Sequence, residues 1–358
     1  MTSLFESMQF LRGPALKNRF VLAPLTNTQS HDDGRLSDEE FHWLTMRAKG
    51  GFGLTMTCAA HVQAQGRGFP GQLGAFSDIH IEGLSRLAKA IKRENSVAVI
   101  QLHHAGMRSP AALIGTTPVC PSDNAETGAR ALTLHEVDQL IEDFVTAAVR
   151  AEVCGFDGVE IHGAHGYILC QFLSAELNKR TDRFGGTADN RTRIIFDIIA
   201  GIRQRCRPTF NVGIRLSPER FGLKLMDIRN LAQKLMLDAE VDYIDMSLWD
   251  IFKEPEEPDM RGQSLLSHFT NLKRGKVKLG AAGKINSGEA ARACIAGGAD
   301  FVVVGRAAVL HHDFPRQVEI NADFKPATLP VTAAYLHQEG LSSAFVTYMR
   351  NWKGFVAE

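Results

Sequence analysis

The chain has 358 residues, and its 40 Lys plus Arg balance its 40 Asp plus Glu, so the formal net charge is zero. This balance offers no electrostatic basis for binding nucleic acid or an anionic membrane surface. The hydrophobic and charged fractions, 44% and 22%, are those of an ordinary globular protein. The N-terminus lacks the pattern of a secretory signal, and no apolar run approaches the ~20 residues of a membrane helix. We therefore expect a cytoplasmic protein.

Six cysteines are scattered along the chain without a C-x-x-C pair. They are Cys58, Cys120, Cys154, Cys170, Cys206 and Cys294. This spacing argues against a zinc site, an iron–sulfur cluster and a disulfide framework. We expect buried free thiols in a reducing compartment, and no metal site.

Short β-type apolar runs alternate with longer helical patterns, which predicts parallel strands joined by crossover helices. Strands are predicted at residues 19–25, 53–59, 96–102, 158–162, 211–216, 243–247, 277–281 and 301–305. The clearest helical periodicities lie at residues 134–154, 190–205, 227–239 and 288–296. Eight βα units without a break in composition predict a single (β/α)₈ TIM-barrel domain over residues 1–358. A doubly wound open α/β sheet is the alternative.

Long loops are predicted at residues 63–77, 103–130 and 248–261. Each follows a predicted strand, so each should lie on the C-terminal face, where barrel enzymes carry their active sites. In the third loop, Trp249 and Phe252 are candidates to shape a substrate pocket.

The strongest motif follows the fourth predicted strand and reads H-G-A-H-G-Y at residues 162–167. Its glycines let the chain turn sharply as it leaves the strand. His162, His165 and Tyr167 then converge on the predicted catalytic face. Taken alone, they fit purely structural side chains, an incomplete metal site, or a pocket that hydrogen-bonds a carbonyl group with an acid beside it.

The sequence after this motif decides between these interpretations. It continues with Q-F-L-S at residues 171–174, N-K-R-T-D-R-F-G-G at 178–186 and N-R at 190–191. The whole block resembles, nearly residue for residue, the most diagnostic stretch of the old yellow enzyme family of FMN-dependent NAD(P)H oxidoreductases. The resemblance extends over essentially the whole chain, from K-N-R-F at residues 17–20 to Y-M-R at 348–350.

The resemblance implies an FMN site at the ends of the strands. The residues that match the family's contacts to the flavin ring are Pro24, Leu25, Thr26, Ala59, Gln101 and Arg215. A fixed cation at Arg215 would stabilise the anionic reduced flavin. The loops after strands seven and eight form the usual phosphate site of barrels. The residues expected there are Gly283, Gly305 and Arg306, whose guanidinium offers a charge-assisted contact.

The resemblance also implies a ping-pong reaction. NADH or NADPH passes hydride to the flavin and leaves, and an α,β-unsaturated carbonyl compound then binds in the same pocket. His162 and His165 would hold its carbonyl oxygen, Tyr167 would protonate its α carbon, and Trp249 would line the substrate site. A homodimer or homotetramer is expected by resemblance alone.

The chain departs from the family pattern near the expected pocket. Residues 104–108 read H-A-G-M-R in place of H-x-G-R, which leaves the role of Arg108 open. Asn27 and Thr28 replace the usual arginine or tyrosine. We expect such changes to alter the substrates and not the reaction.

Several alternatives stay open from the sequence. One is a phosphate-binding barrel lyase or isomerase that uses His162 and His165 as acid and base. Another is a protein that binds FMN without catalysis. The C-terminal segment, about residues 330–358, should pack on the barrel or on a partner subunit, and Arg350 either reaches a neighbouring active site or lies on a surface helix.

Overall fold

A computed structural model describes residues 3–358 as eight parallel strands that close into a barrel. The strands are β1 (Phe20–Leu22), β2 (Leu54–His61), β3 (Val97–His103), β4 (Gly158–Gly163), β5 (Asn211–Leu216), β6 (Tyr243–Ser247), β7 (Lys278–Ala282) and β8 (Phe301–Val304). Neighbours in sequence are neighbours in the barrel, and β8 pairs with β1 in the register Phe20 opposite Val302. The predicted (β/α)₈ barrel is therefore confirmed, and the open-sheet alternative is wrong.

Helices follow the strands and cover the barrel. They are α1 (Asp38–Lys49), α2 (Ile81–Arg93), α3 (Ala111–Ile114), α4 (Leu134–Val153), α5 (Ile168–Leu173), α6 (Ala188–Arg205), α7 (Leu225–Asp238), α8 (Leu265–Thr270), α9 (Gly288–Ala296), α10 (Arg306–Leu310), α11 (Phe314–Ile320), α12 (Ala333–Gln338) and α13 (Ser343–Met349). Single 3₁₀ turns lie at Ala64–Gly66, Asp78–His80, Gly106–Arg108 and Pro258–Met260. The longest helix, α4, begins with a capping box in which Thr133 and Glu136 bond each other's backbone N–H groups.

Most predicted strand ends lie within two residues of the observed ones, and β1 is the exception. It was predicted to reach residue 25 but ends at Leu22, with one more bond from the Ala23 N–H to the Val304 carbonyl at 3.0 Å. Pro24 has no N–H, so the ladder stops there. The loop predicted at residues 103–130 is not without structure, because it contains α3 and a two-stranded ladder of Val119–Cys120 with Arg130–Ala131.

The barrel interior is apolar at one end and polar toward the other. In its apolar part, the ring of Tyr243 packs directly on Gly213. There is no room for a side chain at this glycine, because a Cβ atom there would lie 2.0 Å from Cζ of Tyr243. Buried polar side chains then follow toward the C-terminal ends of the strands. They are Gln101, Glu160, Arg215 and Asp245. This polar layer forms the floor of the catalytic face.

The C-terminal segment packs on its own barrel. The ring of Phe345 in α13 lies 5.4 Å from that of Trp43 in α1, and the Ser342 N–H donates to the Gln29 side chain at 3.0 Å. A bridge from Val331 to Val356 ties the segment to itself. The placement brings α13 over the C-terminal face of the barrel.

All six cysteines are buried and free, as predicted. Within residues 3–358, no group of three or more metal-ligating side chains could hold a metal ion. The same part of the chain contains no helix of the length and apolar character needed to cross a bilayer.

Candidate active site

A cavity of about 640 Å³ opens on the C-terminal face, within the size range of ligand and cofactor pockets. It is lined by the ends of β1, β5, β7 and β8, the loop after β6, and α13. The predicted site residues that line it are Pro24, Leu25, Thr26, His165, Arg215, Trp249, Gly283, Gly305 and Arg306. The fold thus brings together side chains that are up to 282 positions apart in sequence, from Pro24 to Arg306.

The other predicted residues adjoin the cavity without lining it. His162 lies next to both His165 and Tyr167. Its ring centroid is 5.1 Å from the ring centroid of each of these two residues. Gln101 is buried in the polar floor, and Ala59 is half-buried at the end of β2. Phe252 was expected to shape the pocket, but it does not line the cavity and its side chain is exposed.

The two imidazoles are joined into a chain of hydrogen bonds. Nε2 of His162 lies 3.3 Å from Nδ1 of His165, and Nε2 of His165 lies 2.7 Å from the Ser247 hydroxyl. The Ala164 N–H donates to Nδ1 of His162 at 3.3 Å, which leaves Nε2 as the protonated nitrogen of that ring. His165 holds this position through a left-handed backbone with φ of 60° and a bond from its N–H to Ser217 at 3.0 Å.

Both imidazoles are neutral at neutral pH. Burial lowers the pKa of His162 well below its usual value, and the nearby His165 and Arg215 lower it further. Burial, Arg215 and Arg108 do the same to the pKa of His165. A neutral imidazole keeps one N–H donor and one acceptor, so this pair can donate to a carbonyl oxygen without carrying charge.

Tyr167 is held between aromatic rings and a cation. Its ring lies edge-on to His103 at 4.4 Å, and the guanidinium of Arg108 stands 4.7 Å from its centroid on the other side. Arg108 also donates to the His165 carbonyl at 2.5 Å. Arg108, whose role the sequence left open, therefore braces both the phenol and the histidine turn.

The cavity walls carry more positive than negative charge. Arg215, Arg220, Lys253, Lys284 and Arg306 line it, against a single carboxylate, Asp250. That carboxylate is already paired with Lys284 at 2.7 Å. Arg306, the first residue of α10, is exposed and has no carboxylate partner within residues 3–358. This end of the cavity suits a phosphate group.

Sequence reasoning missed much of the wall that comes from the C-terminus. Phe345, Tyr348, Met349 and Trp352 line the cavity beside Thr26. Burial raises the pKa of the Tyr348 phenol. Nothing local in the sequence of residues 344–355 indicated which surface this segment covers. Arg350 is exposed and donates to the Ala357 carbonyl at 3.4 Å.

Polar side chains in the segment after α5 make a set of hydrogen bonds next to the site. The Asn178 amide donates to the Phe172 and Phe184 carbonyls at 2.8 and 2.7 Å. Arg180 bonds Asp182, and the Arg191 guanidinium caps the end of α5 at the Leu173 carbonyl at 3.0 Å. These bonds hold the chain that follows α5 in place.

A TIM barrel with a cationic cavity and a histidine pair at its C-terminal face fits an enzyme that binds a phosphorylated substrate or cofactor. The chain matches the NADH:flavin oxidoreductase / NADH oxidase family over residues 3–323, and it belongs to that family. FMN is accordingly its cofactor and NADH or NADPH its hydride donor. The lyase or isomerase alternative is thereby set aside.

Individual relatives agree with this assignment. A probable NADH-dependent flavin oxidoreductase of Bacillus subtilis (strain 168) is 37% identical over 317 residues, 85% of this chain and 84% of the relative. An NADPH dehydrogenase of Bacillus cytotoxicus is 35% identical over 336 residues, 90% of this chain and 94% of the relative. The structure of an old yellow enzyme homologue from Zymomonas mobilis superposes with a TM-score of 0.81 at 26% identity, covering 96% and 99% of the two chains. A mutant of morphinone reductase in complex with tetrahydroNAD gives 0.79 at 26% identity, covering 94% of each chain.

The donor set of the cavity fits FMN. Nε of Arg215 is buried and makes no hydrogen bond, although it lies 3.3 Å from the Asp245 carboxyl, and the side chain stands at the cavity wall. The guanidinium can therefore donate to an acceptor group bound in the cavity. Arg306, which also lines the cavity, would give the phosphate a counter-charge.

Proposed function

We propose that this protein is an ene-reductase, an FMN enzyme that uses NADH or NADPH to reduce activated C=C bonds of α,β-unsaturated carbonyl compounds. The observation that carries the proposal is the neutral His162–His165 pair, in which His165 lines the cavity and His162 stands beside the Tyr167 phenol. Two hydrogen-bond donors next to an acid are what the reduction of an enone requires.

The proposed cofactor contacts are those expected from the sequence. Pro24, Leu25, Thr26, Ala59, Gln101 and Arg215 would surround the flavin ring, and Gly283, Gly305 and Arg306 would hold its phosphate. Gly283 has φ of 152°, and a Cβ atom there would lie 2.8 Å from the Asp250 N atom. A larger residue would therefore distort the loop that closes the phosphate end.

When bound, FMN accepts hydride from the nicotinamide and delivers hydride to the β carbon of the substrate. His162 and His165 donate to the carbonyl oxygen, which gains negative charge as the hydride arrives, so their bonds strengthen in the transition state. Tyr167 then supplies a proton to the α carbon. The nicotinamide and the enone use the same cavity in turn, which gives ping-pong kinetics.

Trp249 lines the cavity and would help to select substrates. Its backbone has φ of 63°, its ring lies 6.0 Å from that of His165, and Arg220 stands 4.8 Å from a centroid of its ring. A substrate whose carbonyl group is held by the histidine pair would therefore also contact the indole ring of Trp249.

The visible spectrum of the purified holoenzyme tests the proposal. Under anaerobic conditions, NADH or NADPH should bleach the flavin band, and 2-cyclohexenone should restore it. Bleaching that is followed by no return with enones would leave a flavin oxidoreductase with a different acceptor. Failure of both nicotinamides to bleach bound FMN would favour the non-catalytic alternative.

A further inference from the structure

The polar floor of the cavity contains a link between Gln101 and Glu160. The two residues face each other in the ladder of β3 and β4, and the Gln101 amide donates to Glu160 at 2.8 Å. Since Nε2 of Gln101 is committed to the carboxylate, Oε1 is left as the free acceptor of this side chain. Glu160 therefore fixes the orientation of the Gln101 side-chain amide.

Glu160 belongs to a group of two carboxyls that share one cation. Asp245 faces Arg215 across β5 and β6, with its Oδ2 3.3 Å from Nε of the arginine. Both carboxyl side chains are fully buried. Neither Asp245 oxygen accepts a hydrogen bond, and Oε2 of Glu160 accepts none either. One guanidinium cannot neutralise two ionised carboxyls.

The other titratable groups around Glu160 add no positive charge. Burial, Glu160 and Asp245 raise the pKa of the Tyr243 phenol well above its usual value. Burial lowers the pKa of His162, which lies opposite Arg215 in the ladder of β4 and β5, so that imidazole is neutral. An unpaired buried carboxylate is unfavourable, so the pair retains a proton near neutral pH. Burial and the neighbouring Asp245 raise the pKa of Glu160 to about 8.

We infer that Glu160 is a positioning residue for the FMN site, fixing the Gln101 amide and, in alkaline solution and together with Asp245, taking up a proton from solvent when the cofactor is reduced. The inference rests on the FMN site beside Arg215. Hydride brings two electrons and one proton, so the site gains one negative charge. That charge competes with the carboxyls for Arg215 and raises their affinity for a proton. Where Glu160 is ionised in the oxidised enzyme, a second proton then comes from water and stays on Glu160.

The pH dependence has a definite sign. Below about pH 8 the pair already holds its proton, so reduction takes up one proton per two electrons. Above that pH, Glu160 is ionised in the oxidised enzyme and becomes protonated on reduction. Reduction then takes up two protons per two electrons, until the pH exceeds the higher pKa of the reduced state.

The experiment measures the midpoint potential of the holoenzyme against a reference dye at a series of pH values. The series runs from roughly pH 6.5 to 9.5, so that it extends to both sides of the raised pKa of Glu160. The wild type should change from one to two protons per electron pair within this range. Glu160→Gln keeps an acceptor for the Gln101 amide but cannot titrate, so it should take up one proton throughout. Identical slopes in wild type and Glu160→Gln overturn the inference.

Two further variants keep the test decisive. Asp245→Asn leaves Glu160 alone with Arg215, and should move the two-proton range to lower pH even if Glu160→Gln does not bind FMN. Glu160→Ala also removes the amide partner, and should weaken FMN binding roughly fivefold relative to Glu160→Gln, the equivalent of one ordinary hydrogen bond. Equal FMN affinity in the Ala and Gln variants overturns the positioning role. Loss of enone reduction with an unchanged proton count would instead count against the proposed function.

Discussion

The Nε2 atom of His165 lies 2.7 Å from the hydroxyl of Ser247, at the end of β6. In the free protein, the N–H of His162 points toward Nδ1 of His165, so His165 is protonated on Nε2 and donates to Ser247. To hold a carbonyl oxygen with both rings, His165 must carry its proton on Nδ1. A serine hydroxyl can either accept or donate. Ser247 therefore stabilises either tautomer of His165.

Removing this hydroxyl should weaken the histidine pair in the transition state. We expect Ser247→Ala to slow enone reduction roughly fivefold to tenfold, the loss of one hydrogen bond of about 1 kcal/mol. Ser247→Thr keeps the hydroxyl and should retain most of the rate. Rapid-mixing measurement of flavin reoxidation by 2-cyclohexenone checks this, and equal rates for the Ala variant and the wild type would remove Ser247 from the mechanism.

Tyr167→Phe should separate the two half-reactions. Without the phenol, protonation of the α carbon loses a positioned acid, which is worth roughly 10²–10⁴ in rate. Reduction of the flavin by NAD(P)H needs no such acid and should stay nearly unchanged. Tyr348→Phe is the matched control, because this second phenol lines the cavity. Equal losses in both half-reactions would rule out the acid role of Tyr167, and a loss confined to Tyr348→Phe would move it there.

Arg306→Ala should weaken FMN binding but not riboflavin binding. The guanidinium is exposed at the start of α10, and a charge-assisted bond of the kind it would make to the phosphate is worth about 1.5–3 kcal/mol, roughly ten- to hundredfold in affinity. Riboflavin lacks the phosphate and provides the control. Fluorescence titration of the apoprotein with both ligands gives the answer. A parallel loss for the two flavins would place Arg306 elsewhere than at the phosphate.

How much of this site was predictable depends on whether its signal is local. The strands and the H-G-A-H-G-Y turn follow from short-range patterns, and Arg215 and Arg306 lie at predicted strand ends. Ser247 also ends a predicted strand, but a lone serine has no pattern that assigns it to a histidine. Tyr348 reaches the cavity only because α13 packs against α1, and that contact is set by apolar surfaces far apart in the sequence.

The end of β1 is a second feature that the pattern of apolar residues alone did not predict. Residues 20–25 are all apolar and predict one strand that begins at Arg19, yet the ladder ends before Pro24 for lack of an N–H. The residues beyond it are released from the sheet and line the cavity. Pro24 was assigned to the site by the family resemblance, whereas the early end of the strand follows from the missing N–H of proline.

Buried histidines should make the protein sensitive to acid. Burial lowers the pKa of His61 to about 4 and that of His104 to about 3. The unfolded chain binds protons at its usual pKa near 6.5, so it takes up more protons than the folded state as the pH falls from about 6.5 to 4. Stability should therefore decrease over this range, by up to about 1.4 kcal/mol per pH unit for each such histidine. Urea unfolding at several pH values checks this.

The matched replacement for that experiment is His61→Gln, with exposed His135→Gln as the control. The first should flatten the acid side of the stability profile, and the second should leave it unchanged. A profile that is equally steep in both variants would assign the acid sensitivity to other groups.

Gly213→Ala should destabilise the barrel, because the new methyl group would occupy the place of the Tyr243 ring. The ideal Cβ position lies 2.0 Å from Cζ of Tyr243, which is fully buried and cannot move toward solvent. Overpacking of this kind costs about 1–3 kcal/mol. In a double-mutant cycle, Tyr243→Ala should absorb most of this cost, since it removes the ring that the methyl group meets. Strict additivity of the two unfolding free energies would show that Gly213 is required for its backbone and not for the space it leaves.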